Sequence, residues 1–304
     1  MALALTASAC GSSAGVTSPT TLGVGHGGGD GSPTSSGAAG GARRGSGPVD
    51  VLYAGSLVTL MKESVGPAFQ SATGYTFSGV SGDSGSLANQ IKGRTQLADV
   101  FVSASAAKDQ VLEGAQNGGW VSWYATFATS KLVLGYNPHS RFAADLESKP
   151  WYDVITEPGF LVGRTDPTTD PKGALTVSAL DAAAATYGAS TKAIESSTSN
   201  EFPESTLVGR LQAGQLDAGF FYAVEAASAH LQTVPLTGIP AEQTEYTITV
   251  VDHAPHPAGA AAFVSFLLGP AGRGAMAGGG LTVRSPATVS GSAPSELQPV
   301  LSGQ

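Results

Sequence analysis

The sequence predicts an α/β protein in which strands and helices alternate along the chain. Three observations support this prediction. Short apolar runs, such as residues 49–53 and 98–103, have the length and residue types of buried strands. Each run is followed by a turn of small residues, and each turn leads into a segment with apolar residues at helical spacing. This order, repeated along a chain, is typical of a parallel sheet covered by helices.

The composition excludes several classes of function. The chain has 304 residues, and 41% of them are hydrophobic, which is enough for a large core. The net charge is −8, from 15 Lys and Arg against 23 Asp and Glu, and there is no basic run. Nucleic acids and acidic lipid surfaces attract clustered positive charge, so we expect neither as a partner. The single cysteine, Cys10, excludes a disulfide framework, a zinc finger and an iron–sulfur cluster.

The N-terminal segment resembles the end of a bacterial lipoprotein signal. Small residues precede Cys10 after a short apolar run, as in a lipobox, where the cysteine thiol carries the lipid. We interpret residues 1–10 as a truncated signal with its start codon upstream, and Cys10 as the lipidation site. Residues 11–48 are rich in Gly, Ser, Thr and Pro and predict a flexible tether. We therefore expect an exported protein, lipid-anchored on the outer face of the cytoplasmic membrane.

The folded body is predicted to begin at Val49. Its first strand turns at Gly55 and Ser56 into a helix that extends to Phe69, which Pro67 should kink or shorten. The alternation then continues, with strands at 75–80, 98–103, 131–136, 160–163, 218–222 and 246–251, and with helices at 174–187, 205–212 and 257–276. The longest apolar run, 258–268, falls short of the about 20 residues that span a membrane.

Three of the predicted strand-to-helix turns carry residues suited to holding a small anion. They are Ala54–Leu57, Asp83–Ser86 and Asp170–Gly173. In open α/β sheets, ligands bind at the carboxyl ends of strands, where the first N–H groups of helices are free. Serine alone is a common helix cap, but three such turns in one chain favour a shared anion pocket.

A different interpretation has to be weighed for the second turn. Gly82-Asp83-Ser84-Gly85 matches the nucleophile motif of trypsin-like serine proteases. That mechanism needs a histidine base, and the one histidine that precedes Ser84 is His26, which lies in the predicted tether. A secreted hydrolase that uses Ser84 therefore stays a distant alternative.

Taken together, the turns and strands resemble the molybdate/tungstate-binding lipoproteins of ABC importers, which have the type II periplasmic-binding-protein fold. The resemblance covers residues 49–283. Its six blocks occur in the family's order: Val51–Leu57, Gly82–Ile91, Ala98–Ala104, Thr165–Gly173, Leu216–Tyr222 and Ala262–Gly272.

The resemblance implies that these turns hold the oxyanion. Ser56 and Ser84 would donate hydroxyl and backbone N–H hydrogen bonds, and Tyr222 would donate its phenol. The loop from Asp170 to Gly173 and the segment near Glu204 and Ser205 would donate backbone N–H groups. The predicted ligand-binding residues are Ser56, Ser84, Asp170, Tyr222, Gly55, Gly85, Lys172 and Ser205.

In the tungstate-type branch of that family, two carboxylates can complete the coordination of the metal within the oxyanion. Asp170 matches one of them, while Phe221 stands where the second is expected. Glu225 is interpreted as a structural or hinge residue. The predicted pocket holds the anion with neutral donors, without a free metal cation or a cofactor.

The resemblance thus predicts a binding protein and not an enzyme. Two α/β lobes, 49–130 with 247–304 and 131–246, would close over a ligand cleft. The protein would be a monomer that captures molybdate or tungstate and delivers it to an ABC permease. Another small anion, such as sulfate or an organic acid, is the alternative ligand.

Overall fold

A mixed β-sheet runs through residues 44–304, which are the residues that this computed structural model describes. Cys10 and the predicted tether up to residue 43 lie outside them. Within the described part of the chain the strands are β1 (Pro48–Ala54), β2 (Thr76–Gly82), β3 (Val100–Ser103), β4 (Trp123–Tyr136), β5 (Val162–Gly163), β6 (Ala218–Tyr222), β7 (Gln232–Pro235), β8 (Gln243–Val250) and β9 (Thr282–Gly291).

The sheet order is β2-β1-β3-β8-β4-β6-β5, and β7 and β9 also pair with β4. The α/β class is confirmed, but the purely parallel sheet was wrong. β1 is parallel to β2 and β3, and β5 is parallel to β6, whereas β8 is antiparallel to β3 and β4. Because β4 and β8 each enter the sheet against the direction of their neighbours, the sheet is mixed.

β4 takes part in two groups of strands. Its first part, up to Lys131, pairs with β8 and β9, and its last part, Leu132–Tyr136, pairs with β6 and β7. The register shifts between Thr126 and Ala128, where an irregularity interrupts the pairing. The sequence predicted a strand only from residue 131, and its first half was missed, although residues 123–130 include Trp, Tyr, Phe and Thr, which favour strands.

The helices follow the strands in the predicted alternation. They are α1 (Val58–Leu60), α2 (Gly66–Thr73), α3 (Ser84–Gly93), α4 (Ala106–Gln110), α5 (Ala143–Ser148), α6 (Trp151–Val154), α7 (Pro171–Tyr187), α8 (Lys192–Ser196), α9 (Glu204–Gln212), α10 (Ala223–Ser228), α11 (Pro257–Leu268), α12 (Pro270–Gly278) and α13 (Gln298–Leu301).

Pro67 interrupts the first helical stretch as expected. A π-helical turn, Met61–Val65, separates α1 from α2, and Pro67 lies in the first turn of α2. A proline lacks the N–H that the preceding turn would need, and the first turn of a helix is where that loss is tolerated.

The long helical stretch near the C-terminus is two helices. α11 and α12 meet at Gly269 and Pro270 with a bend of 60°. Among the described residues no single helix has the length and apolarity to cross a membrane, although this bent pair passes by length and composition alone. Phe263, Val264 and Leu267 of α11 are completely buried, because the helix covers the sheet that contains β1 and β8.

Asp109, at the end of α4, is a buried acid that the sequence did not single out. Its side chain accepts a hydrogen bond from the hydroxyl of Thr247 on β8, and its Oδ1 has no hydrogen-bond partner among the described residues. Burial disfavours the charged form and raises the pKa of Asp109 to about 8, although the bond from Thr247 opposes the rise.

We expect Asp109→Asn to change how stability depends on pH. Between the ordinary pKa of 3.8 and about 8, the folded protein keeps a proton that the unfolded chain has lost. Rising pH therefore destabilises the wild type, by about 1.4 kcal/mol per pH unit within that window. The variant lacks this titration and should gain stability relative to the wild type from pH 5 to pH 8, measured by urea denaturation. Exposed Glu63→Gln is the control, and parallel pH profiles of Asp109→Asn and the wild type would contradict the expectation.

Candidate ligand-binding site

Ser56 and Ser84 are neighbours because β1 and β2 run parallel. The last residues of these strands, Ala54 and Gly82, are paired in register. Ser56 lies in a 3-10 turn directly after β1, and Ser84 begins α3. Both residues are buried, so the two predicted serine turns do meet at one edge of the sheet.

Tyr222, at the end of β6, reaches the same edge. Its ring meets the ring of Tyr246 on β8 edge to face, with the centroids 6.0 Å apart. The hydroxyl oxygen of Tyr246 lies 2.9 Å from Oγ of Ser56. Both tyrosines are completely buried, and together they link the first serine turn to the end of β6.

Three carboxylates come together beside these side chains. Asp83 precedes α3, Asp170 caps the N-terminus of α7, and Glu204 is the first residue of α9. One oxygen of each lies within 4.8 Å of the others. The three turns predicted from the sequence include the first two residues, and α9 adds the third.

Two of the predicted ligand-binding side chains have polar atoms without partners. The hydroxyl of Tyr222 and Oδ2 of Asp170 are buried and make no hydrogen bond to any described residue. The other oxygen of Asp170, Oδ1, accepts the N–H of Lys172 at 2.9 Å. A buried polar group without a partner is costly, so these two atoms mark a place where a ligand can bind.

Lys172 corrects the expectation of a pocket with neutral donors and no cation. Its side chain is completely buried, and its ammonium nitrogen lies 3.0 and 2.7 Å from the two carboxylate oxygens of Glu225. The same nitrogen is 3.3 Å from Oε1 of Glu204. It also faces the rings of Phe221 and Tyr222, at 5.6 and 5.9 Å from their centroids. The site therefore contains a cation and several carboxylates.

The remaining predicted residues contribute differently from what the sequence suggested. The N–H of Gly85 donates to the carbonyl of Thr169 at 2.9 Å, so this donor is already engaged. Ser205 is exposed, and its neighbour Glu204 enters the site instead. Gly55 has a spatial role, because a Cβ there would collide with the carboxylate of Glu204.

Sequence reasoning included Glu204 and Asp83 only through the backbone N–H groups of their segments; it missed their carboxylates, and it missed Tyr246. Asp83 stood inside a predicted turn, so its position was available as a signal. Glu204 lies 18 residues before Tyr222 in the sequence, and no local pattern connects the two. Tyr246 lies inside a predicted strand, where a buried tyrosine would pass for an ordinary core residue.

Burial and mutual repulsion raise the pKa values of the three acids of the cluster. Burial, with repulsion from Asp170, raises the pKa of Asp83 and holds the pKa of Glu204 well above its ordinary value. Burial also raises the pKa of Asp170, against the attraction of Lys172. Burial lowers the pKa of Lys172, but attraction to Glu225, Glu204 and Asp170 outweighs this effect and raises it overall. The lysine is therefore charged, and its single positive charge faces several carboxyl groups.

A second group of possible metal-binding side chains lies elsewhere, at Asp50, Asp99 and His256. The buried carboxylate of Asp99 accepts the backbone N–H groups of Asp50 and His256, at 2.7 and 2.6 Å, and it contacts Nδ1 of His256 at 2.8 Å. These bonds tie β1 to the start of α11, so the group has a structural role.

The surroundings of Ser84 do not favour a hydrolase. Its hydroxyl accepts the backbone N–H of Ala104 at 3.1 Å, and none of the histidines of the described part of the chain bonds to it. A serine nucleophile needs an adjacent base. The hydroxyl proton is instead available as a donor to a ligand.

Comparison with known proteins also favours a binding protein over a hydrolase. The profile of a family described as bacterial extracellular solute-binding proteins matches residues 49–282. An uncharacterized solute-binding protein of Petrotoga mobilis is 28% identical over 298 residues, which cover 85% of this chain and 91% of that protein. A putative ABC transporter molybdenum-binding protein of Haloferax volcanii is 36% identical over 117 residues, 37% of this chain and 38% of that protein.

Two further proteins carry a related name. The molybdate/tungstate-binding protein WtpA of Thermococcus kodakarensis is 23% identical over 231 residues, 59% of this chain and 65% of that protein. Among solved structures, the periplasmic molybdate-binding protein of Azotobacter vinelandii superimposes with a TM-score of 0.59 at 20% identity, over 78% of this chain and 100% of that one. This likeness shows a periplasmic-binding-protein fold.

The two buried tyrosines allow a direct test of the site geometry. We expect Tyr222→Phe to leave the free energy of unfolding unchanged or higher, because its hydroxyl makes no hydrogen bond to the described residues. Tyr246→Phe should lower it by about 1 kcal/mol, because that hydroxyl bonds to Ser56. Urea denaturation of the ligand-free protein measures both variants, and equal losses would contradict the arrangement.

Proposed function

We propose, from the premise that this chain belongs to the family of bacterial extracellular solute-binding proteins, that it captures molybdate or tungstate for an ABC importer. The family consists of binding proteins of transporters, so the chain is not an enzyme. The relatives named for molybdenum, molybdate or tungstate support the choice of ligand.

One observation carries the proposal. The hydroxyl of Tyr222 and Oδ2 of Asp170 are buried without a partner among the described residues, beside the serine hydroxyls at the ends of β1 and β2. A tetrahedral oxyanion between them would accept hydrogen bonds from the tyrosine and serine hydroxyls. Such bonds to a charged acceptor contribute about 1.5–3 kcal/mol each.

The carboxylates of Asp170 and Glu204 favour an oxyanion with a metal centre. A carboxylate repels the oxygens of sulfate, but it can coordinate molybdenum or tungsten directly. Asp170 matches one of the two carboxylates implied by the sequence resemblance. Glu204, which lies within 4.8 Å of it, is the candidate for the second. We therefore favour expanded coordination of the metal, and a site that rejects sulfate.

We further propose that the ligand bridges two lobes, residues 49–130 with 247–304 and residues 131–246. Ser56 and Ser84 belong to the first segment, and Asp170, Glu204 and Tyr222 to the second. Strand β4, which pairs with both groups of strands, would connect the lobes as a hinge. A ligand held from both sides would stabilise the closed form.

The lipid anchor at Cys10 and the permease partner are part of the same proposal. An exported binding protein has to stay near its importer, and a lipidated cysteine ahead of a Gly- and Ser-rich segment would keep it there. Protein expressed with a lipoprotein signal ahead of Cys10 should partition with membranes, and Cys10→Ala should release it. Unchanged partitioning would remove the anchor from the proposal.

Ligand titration is the decisive experiment for the function. We expect molybdate or tungstate to bind in titration calorimetry, and sulfate and phosphate to bind far more weakly. A thousandfold excess over the dissociation constant stabilises the folded protein by about 4 kcal/mol, so the melting temperature should rise by several degrees. If molybdate and tungstate both leave the melting temperature unchanged while sulfate or phosphate raises it, the proposed choice of ligand is wrong.

A matched pair of variants tests the carboxylate. Asp170→Asn keeps the Oδ1 bond to the N–H of Lys172 and replaces the unpartnered Oδ2 with an amide, so we expect a loss of affinity of tenfold or more. Asp166→Asn is the control, since Asp166 caps its own turn through the N–H of Thr168 at 2.7 Å. Equal affinities of the two variants would make Asp170 a turn-former and not a ligand contact.

A further inference from the structure

We propose that Lys172 determines the specificity of this site: its buried ammonium is a resident cation that lets an acidic cluster accept an oxyanion and exclude a divalent metal ion. This inference rests on the proposed function, and it concerns the side chain of Lys172. The sequence resemblance had assigned this residue only a backbone contribution.

Without the lysine, the cluster has the donor set of a cation site. Asp83, Asp170 and Glu204 each offer an oxygen, and these oxygens lie within 4.8 Å of one another. An ion such as Ca²⁺ binds oxygens at about 2.4 Å, so one ion placed between them could contact all three. Hard divalent cations prefer carboxylate oxygens of this kind.

The ammonium of Lys172 supplies the positive charge that such an ion would bring to the cluster. It lies 3.3 Å from Oε1 of Glu204 and is completely buried, so water does not screen its charge. Its attraction also reaches Asp83 and Asp170. A divalent ion at the three oxygens would meet a fixed positive charge a few ångströms away, whereas an oxyanion is attracted to that charge.

Glu225 holds the lysine in this position. Both of its carboxylate oxygens accept hydrogen bonds from the ammonium, at 3.0 and 2.7 Å, from the first turn of α10. The same ammonium lies 3.3 Å from Oε1 of Glu204, which is an ion-pair distance. The bidentate contact fixes the direction in which the positive charge faces, which a flexible lysine side chain would otherwise lack.

Two other basic side chains of the neighbouring turns are engaged elsewhere. Arg164 pairs with Glu201 at 3.0 Å and donates to backbone carbonyls. Lys108, which is half-buried, donates to the carbonyl of Thr168 at 3.4 Å. The selectivity for an anion is therefore assigned to Lys172.

The test replaces Lys172 together with Glu225, the acid that holds it, and leaves Glu204 able to take up a proton, because its pKa is already raised. Replacing both members of a buried pair with apolar residues of similar volume is often neutral for stability, so Lys172→Met/Glu225→Met should fold. We expect this double variant to lose tenfold or more in affinity for molybdate and tungstate. We also expect millimolar Ca²⁺ to raise its melting temperature by several degrees, with no effect on the wild type.

Two controls isolate the ammonium. Lys192→Met/Glu195→Met removes an exposed pair of the same two residue types and should change neither response. Glu225→Gln keeps the ammonium but weakens the contact that orients it, so its loss of anion affinity should be smaller than that of Lys172→Met/Glu225→Met, without a Ca²⁺ response. If the first double variant does not fold, a Ca²⁺ response of Glu225→Gln, which retains the ammonium, overturns the inference.

The remaining outcomes separate the inference from the proposed function. A wild type that binds no oxyanion contradicts the proposed function, and the Ca²⁺ measurement still decides the role of the lysine. Unchanged anion affinity in Lys172→Met/Glu225→Met, an absent Ca²⁺ response in that variant, or an equal Ca²⁺ response in the wild type would each overturn the inference.

Discussion

The pairing of β4 along its whole length is the constraint on which the site depends. Leu132–Tyr136 bonds to β6, and the preceding segment bonds to β8, so the ends of β6, β8 and β1 are held at one edge. Tyr222 and Tyr246 meet there because their strands, β6 and β8, pair with β4 on its two opposite sides. Residues more than 150 positions apart in the sequence, such as Ser56 and Tyr246, are thereby brought into hydrogen-bond contact.

Negative charge is concentrated at the same edge of the sheet. Four acids, Asp83, Asp170, Glu204 and Glu225, are grouped around a single lysine, and burial weakens the screening by water. The raised pKa values of Asp83, Asp170 and Glu204 have this origin. The proposed metal oxyanion would resolve the conflict in a way that sulfate would not, since its metal can accept carboxylate oxygens while its own oxygens accept hydrogen bonds.

Local sequence signals predicted the part of this arrangement that local physics determines. The strands at Val49 and Tyr75 and the turns that follow them were predicted correctly, and parallel pairing alone makes Ser56 and Ser84 neighbours. Strand β9 was not predicted, because its mostly exposed Ser, Thr and Val residues lack a buried face and pair with β4 through the tertiary fold. The carboxylate of Glu204 was missed for a related reason, because its approach depends on the absence of a side chain at Gly55, far away in the sequence.

The charge of the pocket was the largest error, and it has a physical cause. A lysine at the second position of a helix normally extends into water, and no local pattern indicates that Lys172 is completely buried. Its burial requires Glu225 from α10 and Glu204 from α9, which are 53 and 32 residues away in the sequence. A buried ion pair contributes little net stability compared with an apolar pair of the same shape. Because apolar residues in such places are often neutral for stability, we attribute the three charged residues to the proposed ligand and not to the fold.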